Sequence, residues 1–298
     1  MEVLFLYRIM KESFSYFNKG NINHFLSEKK GAPLKKWGQN FLIDKNIVEI
    51  IVQSLPENLL SEITSIAEIG PGLGAITHRL IEFNKTVYLF EIDPILIDNL
   101  KDHDYNIAPF ILIEGDVLKN LNILDNESFF CFGNLPYYIS TDILTSLVLQ
   151  CPNLKAGIFM LQKEFINRIT RENSSISIFL SIFGTWKHIK NVSSSCFYPS
   201  PKAESSLIFY EKHIDRILSD PEIEVLQIIL RSFFWGKRKT IQKNIKDSPF
   251  LNKFNRNEII EAVLQIDNLT GQERAEDIKK ESYYKIAKII NSTCVKMN

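Results

Sequence analysis

The chain has 298 residues, is 45% hydrophobic, and carries 35 basic against 35 acidic side chains, a formal net charge of zero. That length and apolar share exclude a wholly disordered chain and allow one large domain or two. The even charge withholds the whole-molecule basic field that would by itself point to nucleic acid.

The 4 cysteines and 5 histidines are scattered, with no Cys-x-x-Cys, so neither a metal site nor a redox pair is expected. No apolar run nears the roughly 18–20 residues that cross a bilayer. Met1–Met10 mixes Glu2 and Arg8 with Leu4, Phe5 and Leu6, too short and charged for a secretory signal. A cytoplasmic protein is expected.

Residues 1–33 mix polar and aromatic side chains without a sustained period and end in Lys29-Lys30-Gly31-Ala32-Pro33. They read as an N-terminal extension, a mobile or loosely docked arm. Asp44 is placed to cap a helix whose apolar positions are Ile47, Ile50, Ile51 and Leu55. Ile66–Ile69 reads as a strand, followed by a Gly-rich turn and a helix through Ile76, Leu80 and Ile81. Thr86–Phe90 is a second strand, and Pro94, a favoured first helical residue, opens the next helix. Phe110–Ile113, Phe129–Phe132 and Ile158–Leu161 follow as strands. Strands alternating with helices at this spacing predict a doubly wound, mostly parallel α/β sheet. Leu207–Tyr210, after Pro199-Ser200-Pro201, reads as a late antiparallel edge strand. Beyond residue 212 only helical periods remain, in Val225, Leu226, Ile229, Leu230 and Phe233, then Ile259, Ile260 and Val263, then Tyr283, Ile286, Ala287 and Ile290. The expected domains are therefore 34–212 and a helical 213–298.

Three strand ends carry the chemistry. Glu68-Ile69-Gly70-Pro71-Gly72-Leu73-Gly74-Ala75 carries glycines that permit a sharp turn and close approach of backbone to ligand. With Glu91 about 20 residues on, it also fits a dinucleotide fingerprint, so a nicotinamide cofactor is formally allowed. Glu91 can accept from both hydroxyls of a ribose. Asp93, before Pro94, reads instead as a helix cap. Asp116 can accept from an exocyclic amine such as adenine N6. Gly133-Asn134-Leu135-Pro136-Tyr137-Tyr138 follows an apolar strand. Asn134 and a carbonyl of the Leu135-Pro136 step, whose backbone is restricted by proline, can grip a planar amine, and Tyr137 can stack on it. Either acid alone would pass for a solvated strand-end residue; together at one sheet rim they predict a nucleotide-like cofactor beside an unstacked base.

At this point the motifs resemble a known family. Asn134-Leu135-Pro136-Tyr137 resembles the fourth motif of adenine-N6 methyltransferases that use S-adenosylmethionine. Gly38-Gln39-Asn40-Phe41-Leu42, Phe197-Tyr198-Pro199-Ser200-Pro201-Lys202, Leu161-Gln162-Lys163-Glu164, Arg238-Lys239-Thr240 and Arg274-Ala275-Glu276 are similar to signatures of the KsgA-type small-subunit ribosomal RNA adenine dimethyltransferases, relatives of the Erm methylases. The likeness covers residues from about 34 to 290.

It implies a Rossmann-like class I methyltransferase sheet of seven strands, mostly parallel, with a small C-terminal helical RNA-binding domain. It implies S-adenosylmethionine as cofactor, a monomer, and transfer of four methyl groups to the N6 amines of two adjacent adenosines in the 3′-terminal hairpin of small-subunit (16S) rRNA. By the same resemblance Asn40 and Leu42 close over the cofactor. Gly70 faces its methionine part, Glu91 its ribose and Asp116 its adenine amine. Asn134, with the carbonyl of Leu135 or Pro136, binds the target amine, Tyr137 stacks on the target base, and Phe197 covers the other face. Simple packing beside two prolines is the plainer role for Phe197. Lys237, Arg238 and Lys239 belong to an acid-free run, Arg231–Lys246, that would meet phosphates.

Trp37 stands where Leu or Phe is usual, and Tyr138 where Asn is commonest. The family's Gly-Arg-Leu-Ser segment is not recognisable near Ser174–Leu180. The Erm branch, which modifies large-subunit RNA, and a non-catalytic assembly or transcription factor of the same fold are the alternatives.

Overall fold

The computed structural model describes residues 16–28, 39–102, 110–170, 173–252 and 254–294. Trp37 and Gly38 lie outside them. The strands are β1 (Phe41–Leu42), β2 (Ser65–Ile69), β3 (Thr86–Glu91), β4 (Phe110–Glu114), β5 (Phe129–Asn134), β6 (Leu154–Gln162), β7 (Gly184–Val192), β8 (Phe197–Tyr198) and β9 (Ser205–Lys212). Seven of them form one sheet in the order β4-β3-β2-β5-β6-β9-β7. The pairs β2–β3, β2–β5, β3–β4 and β5–β6 are parallel. This is the seven-stranded, mostly parallel sheet that the resemblance implies.

Every expected strand is present, with one misplaced. β9 lies between β6 and β7, not at the edge. The edge is β7, which sequence reading missed. Thr185, Lys187, His188, Lys190 and Asn191 are exposed along it, so the solvated strand carries no apolar run.

The chain forms two compact units, Met1–Gln162 with Ile189–Leu207, and Lys163–His188 with Ile208–Asn298. The expected linear division after residue 212 differs from this, because Lys163–His188 belongs with the C-terminal helices.

In the first unit, Ile66, Leu89, Phe129, Phe130 and Phe132 are fully buried along neighbouring strands. Each contributes about 1.5–3 kcal/mol of apolar burial. Asp44 caps the helix Lys45–Gln53 as expected, accepting from the backbone N–H of Asn46 and Ile47. Pro94 begins the helix Pro94–Asp102.

Residues 16–28 depart from the loosely docked arm. Lys19–Glu28 is a helix, and Ile22 is fully buried against Tyr16, Phe41, Leu73 and Leu96. Ile22, Phe25 and Leu26 do sit at helical spacing, but the period is too short to stand out in a polar stretch.

In the second unit, Ser219 and Glu222 form a reciprocal capping box that starts the helix Asp220–Phe233. Thr240 caps Ile241–Asp247 and pairs with Arg274 across a short bridge. Tyr283, fully buried, donates to the Ala275 carbonyl at 2.7 Å, so Arg274-Ala275-Glu276 serves to hold this helical core together. Asn244, 1% exposed, donates to the carbonyls of Phe233 (2.7 Å) and Gly236 (3.2 Å) and accepts from the Gly236 N–H (3.0 Å). Three backbone groups of one turn thus depend on a single amide. Asn244→Ala should cost about 2–4 kcal/mol, since buried groups left unpaired carry their full desolvation penalty. Urea melts of the whole chain would check this; a loss under 1 kcal/mol would mean the turn is held by other contacts.

Candidate active site

Parallel register levels the strand ends. Ile69 stands opposite Phe90 and Gly133, and Glu91 opposite Glu114. Chain order reverses between β2 and β5, the position where open α/β sheets form a crevice. The cavity there is lined by Asn40, Leu42, Gly70, Glu91, Asp116, Asn134, Leu135, Pro136 and Tyr137, every first-unit residue given a cofactor or target role above except Phe197.

The glycine turn explains itself through its dihedrals. Gly70, Gly72 and Gly74 have φ of 71°, 61° and 94°, values that side chains disfavour. The turn therefore hugs the sheet: the Gly70 N–H donates to the Phe90 carbonyl at 2.9 Å, and the Gly72 N–H to Glu91 Oε2 at 3.2 Å.

Glu91 is 5% exposed. Its Oε1 accepts from the backbone N–H of Ile92 and Asp93 at 2.9 and 3.0 Å. Burial raises its pKa to about 7 against the pull of those donors. A carboxylate so deep, backed by peptide dipoles on one side and the cavity on the other, is built to receive further donors. Asp116 caps a short turn through the Leu118 N–H at 3.0 Å and also faces the cavity. Two acceptor carboxyls on adjacent strand ends fit a nucleoside with a vicinal diol and an exocyclic amine.

Asn134 is oriented by one bond. Its Nδ2 donates to the Asn40 carbonyl at 3.1 Å. A carbonyl can only accept, so the amide nitrogen must lie on that side, and Oδ1 is the atom turned elsewhere. The two motifs are thereby joined. The Pro136 carbonyl accepts from Ile139 N–H at 3.2 Å, closing the turn. Of the two carbonyls considered, Leu135 is then the better placed second acceptor. Tyr137 shares a 2.6 Å hydrogen bond with Ser205, which fixes its ring.

Phe197 needs correction. It is 1% exposed, does not line the cavity, and stands opposite Leu42 where β1 and β8 pair. Its burial supports packing that braces the Asn40–Leu42 segment, the plainer of the two readings. Asp93 caps its helix as expected, accepting from Ile95 N–H at 3.0 Å, and also accepts from Gln39 Nε2 at 2.8 Å.

Four further residues at the site carry no role in the sequence reading. Gln39 holds Asp93; its place in the Gly38-Gln39-Asn40 motif was the available signal. Glu68, 2% exposed, accepts from Thr77 Oγ1 at 2.6 Å, and burial raises its pKa to about 8. Ser205, and Tyr16 on the cavity wall, gave no signal beyond their residue types.

In the second unit, Lys237 and Arg238 are exposed. Lys239 is tied to Asp247 at 2.8 Å, the acid lying just past the run that read as acid-free. Among the described residues no cluster of three or more His, Cys, Asp or Glu could hold a metal ion. No helix among them is long and apolar enough to cross a membrane.

Comparisons with known proteins agree with this geometry. The family model for ribosomal RNA adenine dimethylase matches residues 33–292. Ribosomal RNA small subunit methyltransferase A of Bacillus pumilus is 32% identical over 280 residues, covering 88% of this chain and 93% of that protein. The Treponema denticola protein of the same name is 32% identical over 286 residues, covering 93% and 96%. Among solved structures, a dimethyladenosine transferase from Plasmodium falciparum superposes with a TM-score of 0.66 at 23% identity, over 82% of this chain and 94% of that one; that likeness speaks to the fold.

Proposed function

Because the chain belongs to the ribosomal RNA adenine dimethylase family, we propose that it dimethylates the N6 amines of two adjacent adenosines in the 3′-terminal hairpin of small-subunit rRNA, as a cytoplasmic monomer. The observation that supports this reading is the Asn134–Asn40 bond, which uses the amide nitrogen and leaves the oxygen as the acceptor of a residue that lines the cavity with Glu91 and Asp116.

Bound S-adenosylmethionine supplies an electrophilic methyl on a positively charged sulfur. Glu91 and Asp116 would hold its ribose and its adenine amine, and Gly70 would let the backbone approach its methionine end. Asn134 Oδ1 and the Leu135 carbonyl would accept from the target amine, from two N–H bonds before the first transfer and from the one that remains before the second. That grip draws the nitrogen lone pair out of conjugation and aims it at the methyl. The bound donor would supply the methyl to that nitrogen, and the amine's surplus proton would leave to water, so no covalent enzyme intermediate is needed. Tyr137 stacks on the extruded adenine, whose unstacking costs a few kcal/mol. Positioning supplies much of the acceleration.

The test is radiolabelled methyl incorporation into unmethylated small subunits, with mass-spectrometric mapping of the product. Dimethyladenosine at two neighbouring positions supports the reading. Label on large-subunit RNA would favour the Erm branch, and no label with tight subunit binding would favour an assembly factor.

Lys237 and Arg238 are assigned to phosphate contact. Replacing either with alanine should weaken RNA binding across sequences and lower the salt slope by about 1. Lys239→Ala should do less, because Asp247 already neutralises that ammonium. Filter binding from low to moderate salt checks it; equal slopes for all three variants would mean the Asp247 pairing does not matter.

A further inference from the structure

We propose that the segment Tyr16–Glu28, which precedes the stretch matched by the family model, is a working part of the cofactor site. In this reading Tyr16 is a cofactor-contact residue and the Lys19–Glu28 helix a fixed cover that holds the cofactor-closing loop in place. The inference rests on the cofactor assignment above and deepens it.

Three independent contacts carry it. Tyr16 lines the same cavity as Glu91 and Asn134. Its ring lies stacked on His78, centroids 4.9 Å apart and planes 18° from parallel, with Phe17 edge-on to both. His78 in turn meets the Gly74 carbonyl at 3.3 Å, so the stack is seated on the glycine turn. Next, Ile22 is fully buried among Phe41, Leu73 and Leu96. Phe41 lies between Asn40 and Leu42, Leu73 lies inside the glycine turn, and Leu96 lies in the first turn of the helix after Glu91. One side chain thus ties together three segments of the cavity wall. Finally, Tyr198 Oη donates to Asn23 Oδ1. Tyr198 pairs with Phe41 where β1 meets β8, so the helix grips the β1–β8 pair from a second side.

The physical consequence is retention. An aromatic wall and a pinned loop lower the rate at which a bound nucleoside escapes, without touching the amine that reacts. The effect should therefore fall on cofactor affinity and KM, not on kcat with cofactor saturating.

The experiment measures S-adenosylhomocysteine binding to the full chain by calorimetry and its dissociation by stopped flow. Variants are Tyr16→Ala, Tyr16→Phe and Ile22→Ala, with thermal midpoints of the ligand-free proteins as a folding check. Tyr16→Ala should weaken binding about tenfold, mostly through faster dissociation, and Tyr16→Phe should restore it, since the ring supplies the contact. KM for the methyl donor should rise alongside, with kcat kept within about twofold. Folded Tyr16→Ala and Ile22→Ala proteins that bind within twofold of the unaltered chain would overturn the inference. Failure of the unaltered chain to bind S-adenosylhomocysteine would instead strike the cofactor assignment itself.

Discussion

Asn134→Ala lowers turnover by about 10²–10⁴-fold at saturating cofactor, the range expected when a positioning contact and a polar acceptor at the reacting atom are lost together. The magnitude follows from what the amide does. Adenine N6 is a poor nucleophile because its lone pair is shared with the ring. Only an acceptor fixed before the RNA arrives can favour the bent, reactive nitrogen without reorganising during the step. The Asn40 carbonyl fixes it, at 3.1 Å from Nδ2. Alanine removes the acceptor and leaves that carbonyl to water.

RNA affinity should stay within a few-fold, because phosphate contacts dominate it and lie elsewhere in the chain. Single-turnover methyl transfer on unmethylated subunits, paired with filter binding, separates the two quantities. Dimethylation at more than a tenth of the normal rate would remove Asn134 from the reacting centre. A parallel collapse of RNA binding would show that the substitution damaged more than the amine grip.

The sequence exposed the central part of this site for a physical reason. Buried parallel strands read as unbroken apolar runs, as in Phe129–Phe132, and functional groups at their ends follow at fixed offsets. Glu91, Asp116 and Asn134 fall on one rim from sequence alone, because parallel register levels the strand ends. What stayed hidden depends on contacts between distant short segments. The two-residue pair of β1 with β8 is too brief to pattern, yet it decides that Phe197 is buried opposite Leu42. β7 faces solvent on much of its length and so lacks a hydrophobic signature. Lys239 looked like a free cation until the turn of Ile241–Asp247 brought Asp247 back to it. The docking of Ile22 needed three other segments to be folded first.

Cofactor affinity should fall as pH drops below about 7, and Glu91 is the reason. Without ligand, burial raises this carboxyl to about 7, so near neutrality it is part protonated. A protonated carboxyl keeps one acceptor oxygen but sets its own O–H against the second hydroxyl, so a ribose diol held there as proposed favours the ionised form and expels the proton. Below pH 7 the Kd for S-adenosylhomocysteine should weaken by up to about tenfold per unit, with up to one proton released on binding, the limit for one linked site.

Glu68 lies in the same cavity wall and is raised to about 8. Its ionisation is linked to Glu91 by like-charge repulsion, a smaller influence than burial. Asp93, Asp116, Tyr16 and Tyr137 are further titratable groups on or beside the cavity.

The ligand-free chain should show the opposite trend. A carboxyl raised in the folded state contributes stability fully present below its unfolded pKa of about 4.5, and lost as pH rises through the folded value. Both Glu68 and Glu91 therefore favour the fold less at pH 8 than at pH 5, and bound cofactor offsets this for Glu91. Glu91→Gln separates the two effects. It keeps the shape but gives the diol a neutral acceptor beside an unwanted donor, so affinity at pH 8 should drop by about 100-fold, the cost of two charge-assisted hydrogen bonds. The pH dependence between 6 and 8 should flatten with it. Calorimetry in two buffers of different ionisation enthalpy reads both affinity and proton release. A Kd for the unaltered chain that is level from pH 6 to 8, with no proton released, would mean that the diol is held by some other group.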